Sequence, residues 1–271
     1  MKHVVYFRAG LWNEEEELFA CQKYFLTVRC RTEIPQGSLV IPRYSMLPFP
    51  RELANDVLVL KGQLINTVEQ HEYVADIRQY YPDLEGITPE TRTTWANLPQ
   101  GSYVVKGITN SRKHEWRQRM FAKTREDVPR IANSLLDDDL LKSQGLVVRK
   151  YEPLVTYGEG INGMPITNEW RFFILDKTIL AGGYYWASES EYCPGDPMAP
   201  PPGATAMVEE AIKRVGNKIR FFVVDVAEMQ KGGWMVVELN DGCQSGPSMI
   251  DYDKLYKRLA YKLQHTELTV G

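Results

Sequence analysis

Two apolar runs in the C-terminal third constrain the fold of this chain more than any other feature. Phe221–Val224 runs into Asp225, Trp234–Val237 runs into Glu238-Leu239-Asn240, and Gln230-Lys231-Gly232-Gly233 lies between them. Valine and aromatic runs favour strands, and a glycine-rich turn between two of them folds the chain back as a β-hairpin. Side chains alternate across a strand, so Glu238 and Asn240 share one face. Asp225 ends the other apolar run, and three oxygen donors can converge on one spot. Carboxylate and amide oxygens suit hard divalent cations such as Mg²⁺ or Mn²⁺, which commonly hold nucleotide phosphates. Read alone, the triplet fits equally an ordinary hairpin with acidic residues at its solvated end.

The 271 residues can bury a substantial core, in one large or two modest domains. With 44% apolar and 25% charged residues the composition is that of a soluble globular protein. A net charge of −3 provides no global basic field for nucleic acid or an anionic membrane. No apolar run approaches the roughly eighteen residues a membrane span needs. The first twenty residues lack a secretory apolar core and turn acidic at Glu14–Glu17. Cys21, Cys30, Cys193 and Cys243 are scattered without CxxC spacing, which argues against a disulfide framework or a zinc knuckle. A cytoplasmic protein is the expectation.

Along the chain, Val4–Phe7 reads as a strand, Asn13–Val28 as a helix capped by Asn13, and Leu39–Ile41 as a strand. Prolines make Pro42–Pro50 a loop. Asp56–Leu60 reads as a buried strand, and His71–Tyr80 as a helix stopped by Pro82. This alternation predicts a small α/β layer, with a boundary near Pro89. Beyond it come a strand at Gly101–Gly107 ending in a lysine, a polar turn at Ile108–Lys113, and helix through Ala122. A helix at Glu126–Leu141 and a strand at Leu146–Tyr151 follow. Glu169–Leu175 and Thr178–Trp186 predict a second hairpin, turning at Asp176-Lys177. Glu189–Gly203 holds five prolines and reads as a lid or loop. Helices at Ala204–Val215 and Asp251–His265 complete the reading.

Singly, the charged residues are ambiguous. Lys106 at a strand end fits a solvated lysine or a phosphate ligand, and Lys150 an edge charge. Arg171 interrupts an aromatic strand two residues after Glu169. That pattern fits a surface pair with Glu169 or a guanidinium aimed at phosphate.

Taken in order, Lys106, Lys150, Arg171, Asp225, Glu238 and Asn240 resemble the ATP-grasp superfamily. These carboxylate–amine ligases include D-alanine–D-alanine ligase, glutathione synthetase and the tubulin tyrosine ligases. The chain is most similar to a subclade marked by one arginine and two lysines. The resemblance implies an α+β ATP-grasp fold over residues 93–271, preceded by a small α/β domain over residues 1–92. It implies that Asp225, Glu238 and Asn240 hold two Mg²⁺ ions, with Mn²⁺ as an alternative. By the same resemblance Lys106 reaches the phosphates of ATP, and Lys150, Tyr151 and Glu152 take up adenine. Arg171 then contacts the γ-phosphate and the reacting carboxyl, and Lys106 and Arg171 are the catalytic pair.

Two departures stand out. Where the superfamily closes a glycine-rich loop over the phosphates, this chain has Gly107–Lys113 with one glycine, so Thr109, Ser111 and Lys113 are the substitute donors. Val223 stands where some ligases carry an arginine, leaving Arg171, or less aptly Arg220, to stabilise an oxyanion. The implied activity is an ATP-dependent ligase joining a carboxylate to an amine through an acylphosphate. Its substrate would be a small molecule, an amino acid or a peptide. Two alternatives stay open: a kinase acting on a hydroxyl with Glu169 as base, and a nucleotide-binding module without turnover. Arg43 and Arg51 read as solvated arginines or as grips for an acidic substrate. His3, His71, His114 and His265 lack triad or metal spacing and read as packing or surface residues, and Cys243 and Ser245 as loop residues facing substrate.

Overall fold

The computed structural model describes residues 2–7, 14–46, 49–109, 113–193 and 195–267. The expected cap Asn13, loop residues Leu47 and Pro48, the donor Ser111 and Pro194 lie outside these.

The chain opens with β1 (Lys2–Phe7), α1 (Glu14–Gln22), β2 (Leu26–Val28), β3 (Ser38–Arg43), α2 (Pro50–Val59) and β4 (Gln63–Leu64). The strands form a parallel sheet in the order β2-β1-β3-β4. Three expectations fail here: the loop read over Pro42–Pro50 gives Pro42 and Arg43 to β3 and Pro50 to α2. The helix read over Asn13–Val28 stops at Gln22 and gives Leu26–Val28 to the sheet. Asp56–Val59 is helix rather than strand, with Leu60 as its C-cap. Pro50 sits in its first turn, where a missing N–H costs nothing, and Leu53 and Val57, one turn apart, are buried while Leu58 and Val59 stay exposed.

Next come α3 (Val68–Ala75) and α4 (Ile77–Leu84). The break between them is Asp76, which caps α4 through Arg78 N–H, and Pro82 lies inside α4 instead of ending a helix. A small antiparallel sheet, order β5-β8-β6-β7, is built from β5 (Thr91–Arg92), β6 (Tyr103–Gly107), β7 (Phe121–Ala122) and β8 (Leu146–Lys150). The helix expected to run to Ala122 is instead a 3₁₀ turn and a π-turn over Trp116–Met120 that feed β7. Glu126–Leu141 divides into α5 (Val128–Leu136) and α6 (Asp139–Gln144), because Asp138 caps the second helix through the N–H groups of Leu140 and Leu141. The buried face of α5 carries Val128, Ile131 and Leu135, each contributing roughly 1.5–3 kcal/mol of burial beneath the sheet.

The remaining elements are β9 (Thr156–Glu159), β10 (Pro165–Thr167), β11 (Glu169–Leu175), β12 (Thr178–Tyr184), α7 (Pro202–Val215), β13 (Phe221–Glu228), β14 (Trp234–Asp241) and α8 (Tyr252–Glu267). Strands β12-β11-β13-β14 make a fully antiparallel sheet, with both expected hairpins in place. Asp176 and Lys177 have φ of 46° and 64°, and Gly232 and Gly233 have φ of 91° and 82°, as tight hairpin turns require.

The two faces of this large sheet face different partners. Trp170, Phe172, Ile174, Phe222 and Val224 join α4 and α7 in one core. Phe173, Leu175, Phe221 and Val223 join β1, β3 and α8 in another. The second core stops short of Arg171 and Asp225, which alternation puts on the same face. That uncovered end becomes the site.

Candidate active site

Strand register assembles the centre. Arg171 on β11 lies opposite Asp225 on β13, which lies opposite Glu238 on β14, so a guanidinium and two carboxylates stand in a row. A bulge between the Asp225 and Val226 pairs shifts β14 by one residue. Val236 thereby pairs with Val226 in the α7 core, while Glu238 keeps the face of Asp225. Asn240, opposite Val223, stays on that face as the two-residue spacing requires.

The side chains lock together. Arg171 donates Nε and Nη2 to the two Asp225 oxygens at 2.8 Å each, and Nη1 to the Gly246 carbonyl at 2.8 Å. Asn240 Nδ2 donates to Asp225 Oδ2 at 2.9 Å, so the Asn240 carbonyl oxygen points away from that bond. Lys106, from β6 of the small sheet, donates to Glu238 Oε2 at 2.6 Å and ties the two sheets across the gap between them. Arg171 thus pairs with Asp225, and the surface pair with Glu169 does not form. Asp225, Glu238 and Asn240 are an all-oxygen donor set of two carboxylates and an amide, which fits a hard divalent cation. Their charge is met by Arg171 and Lys106.

An apolar cleft of about 800 Å³, part of it open to solvent, lies between the sheets. Val104, Met120, Leu154, Met164, Met235 and Val237 give it walls suited to a flat aromatic ring, with Lys150, Tyr151 and Glu152 at its edge. Lys150 is exposed, 3.8 Å from Glu152, and Tyr151 packs edge-on against Phe121 at 5.0 Å. Lys106, Lys113 and Glu238 line this cleft and also an adjoining polar pocket that includes Ser45, Thr109, Arg171, Tyr185, Asn240 and Ser245. Cations and oxygen donors therefore sit where an apolar cleft opens into a polar one.

Electrostatics follow from burial and neighbours. Burial pushes the Glu169 carboxyl up to about 7, with the Lys113 ammonium pulling against it. Glu169 Oε1 has no hydrogen-bond partner, and Oε2 accepts from Thr167 at 3.2 Å. Burial opposes charge on Glu238, yet Lys106 and Lys113 override it and hold the carboxyl well below its usual range.

Sequence reasoning missed two participants. Arg149 is buried and donates to the carbonyl of Val237, the bulged residue, at 2.7 Å and to Thr88 at 2.7 Å, fastening the small sheet to the floor. Its alternation with Lys106 on the paired strand was the available signal. Tyr185 touches both Lys113 and Arg171; an aromatic doublet at a strand end reads only as core.

Other expectations are corrected. Arg43 is neither solvated nor a substrate grip. It is buried, bound to Glu17 and to the carbonyls of Gly242 and Ser245. Arg51 is exposed, in keeping with the solvated reading, and paired with Glu72, whereas Arg220 is held by Asp176, away from the centre. Cys243 is wholly buried and faces no substrate, whereas Ser245 lines the polar pocket. His71 is fully buried, with Nδ1 on the Asp241 carboxylate, and lies within 4.8 Å of Asp241 and Cys243 ligand atoms, a grouping the sequence spacing did not show.

Comparison with known proteins decides the family. The model of the ATP-grasp domain, R2K clade family 3, matches residues 93–259. The chain belongs to that ATP-grasp family. No curated protein sequence matches it. Among solved structures it is similar to D-cycloserine synthetase DcsG, at 14% identity and TM-score 0.62 over 96% of this chain and 99% of that one. It also resembles D-alanine–D-alanine ligase from Bacillus anthracis complexed with ATP, at 13% identity and TM-score 0.57 over 98% and 99%. A third likeness is the ATP-grasp ligase PsnB complexed with precursor peptide PsnA2 and AMPPNP, at 11% identity and TM-score 0.54 over 97% and 98%. The ATP-grasp fold accounts for the two facing sheets, and the α+β class expected from the sequence holds.

Proposed function

We propose that this protein is an ATP-dependent ligase that activates a carboxylate as an acylphosphate and joins it to an amine. One observation carries the reading: three cations and three oxygen ligands converge where an apolar cleft meets a polar pocket. The apolar cleft suits adenine, with the Lys150–Glu152 edge against the base. Lys106 and Lys113 neutralise and place the phosphates, and Arg171 forks onto the terminal phosphate and the attacking carboxylate. Mg²⁺ or Mn²⁺ held by Asp225, Glu238 and Asn240 would supply charge neutralisation along the phosphates. The remaining chemistry is positioning. A carboxylate oxygen attacks the γ-phosphorus as ADP leaves. The amine then attacks the acyl carbon, phosphate departs and a proton is released.

The structural neighbours favour an amino-acid or peptide substrate by analogy only. We read residues 1–92 as a pre-grasp unit supplying Ser45, Val74 and Tyr80 to the polar pocket, and residues 93–271 as the catalytic unit. Cytoplasmic residence agrees with four unpaired thiols, and among the described residues no helix is long and apolar enough to cross a membrane.

Glu169 supports a second reading. A carboxyl poised at about 7 with a free oxygen is suited to take a proton from a hydroxyl, which would make the protein a kinase. Purified protein, ATP and Mg²⁺ with pooled carboxylates and amines separate the two. ADP and phosphate release that needs both partners and vanishes in Asp225→Asn supports ligation. Phosphorylated product without an amine supports the kinase. AMP and pyrophosphate would overturn both.

A further inference from the structure

Lys106, Lys113 and Arg171 are like charges brought close together, and each needs a partner while no phosphate is bound. Lys106 and Arg171 have carboxylates, Glu238 and Asp225. Lys113 has a phenol: its ammonium donates to Tyr185 Oη at 2.7 Å and lies 4.3 Å from the centroid of the same ring. The Arg171 guanidinium carbon lies 4.7 Å from that centroid. A ring that attracts a cation to its π-face gains more as water is excluded, and here one ring serves two.

We infer that Tyr185 is a positioning residue for the terminal phosphate, holding the Lys113 ammonium and the Arg171 guanidinium where they meet it together. Its own placement is firm. The Tyr185 N–H donates to the Glu169 carbonyl at 2.9 Å, and the preceding Tyr184 N–H to the Pro197 carbonyl at 2.7 Å. Trp186 packs edge-on against the ring at 5.1 Å and is itself held by Thr167 through Nε1 at 3.3 Å. Because the phenol oxygen accepts from Lys113, its own hydrogen is available for an incoming oxygen. An anion seated there meets an ammonium, a guanidinium and a hydroxyl at once. Tyr185 and Arg171 line the polar pocket and not the apolar cleft, so they act on the outer end of the nucleotide and leave the base alone.

The inference rests on the proposed reading that the cleft takes ATP, and the experiment separates the two. Full-length wild type, Tyr185→Phe and Tyr185→Leu are titrated calorimetrically with AMPPNP, ADP and AMP in Mg²⁺. Tyr185→Leu is expected to weaken AMPPNP about tenfold while AMP changes by less than about twofold. Tyr185→Phe, which keeps the ring, should lose about threefold on AMPPNP. A uniform loss across the three nucleotides marks a general structural role and overturns the inference, as does no loss at all. If wild type binds none of them, the nucleotide reading falls and takes this one with it.

Discussion

Arg43 and Arg171 are a matched pair. Each is buried, each grips a carboxylate, and each also holds the loop that follows β14. Arg43 binds Glu17 and the carbonyls of Gly242 and Ser245; Arg171 binds Asp225 and the carbonyl of Gly246. They differ in what surrounds them. Glu17 also accepts from the Tyr256 hydroxyl at 2.5 Å, and Arg43 lies 5.7 Å from the Phe173 ring, at the edge of an apolar core. Arg171 lines a polar pocket and shares Asp225 with Asn240. A buried ion pair that borders an apolar core and no pocket can only hold the fold together. The same pair at the edge of a cavity can exchange its partner for a ligand.

The largest effect is expected at the closed pair. Arg43→Met strands Glu17 in the core and should cost about 3–5 kcal/mol in urea denaturation, while ATP turnover by the folded protein stays within about twofold of wild type. A cost below about 1 kcal/mol would break the comparison. Arg171→Met should lower ATP turnover about 10²–10³-fold. It also leaves Asp225 unpaired, and its melting temperature should gain less from Mg²⁺ with ADP than that of Arg43→Met, because a ligand stabilises the folded state in proportion to how tightly it binds it. Equal gains in the two variants, or a larger gain in Arg171→Met, would mean that the two arginines do not differ in kind.

Glu169 sharpens the contrast through pH. Its carboxyl sits at about 7 in the folded protein against an ordinary 4.5. Between those values the unfolded chain has released a proton that the folded chain keeps. Stability therefore falls as pH rises through that window and levels off above it. Glu169→Gln should melt with wild type near the lower value and above it at about pH 8. Parallel melting curves across the window would mean that burial does not hold the Glu169 carboxyl neutral. The smallest effect belongs to Lys150. It is solvent-exposed beside Glu152, so Lys150→Met should weaken nucleotide binding by no more than about fivefold in calorimetry. A larger loss would mean the cleft edge closes on the base more tightly than this geometry provides.

The hairpins and the oxygen triplet were legible because their signals are local. Alternation puts Glu238 and Asn240 on one face, and glycines at φ of 91° and 82° make the turn that brings Asp225 opposite. The failures have local causes too. The run Asp56-Val57-Leu58-Val59-Leu60 has strand composition, but only Val57 of it is fully buried, Leu60 packs at the edge of the core, and a proline six residues upstream starts a helix. His71 shows the other limit: its pairing with Asp241 spans 170 residues, and no spacing rule reaches that far.

By itself, then, the sequence determined the order of the charged residues, the strands that carry them and the family they belong to. The strands follow from side-chain alternation and turn chemistry, which act over a few residues, and the family from the resemblance those charged residues carry in order. The tertiary structure decided which charges share a site: that Arg171 meets Asp225 while Arg43 is sealed against Glu17, and that Tyr185 stands between two cations. Those outcomes depend on which face of the large sheet the N-terminal layer covers and where that cover ends. What a side chain borders is a property of the whole packing, and it separates a strut from a site when the residues are equally buried.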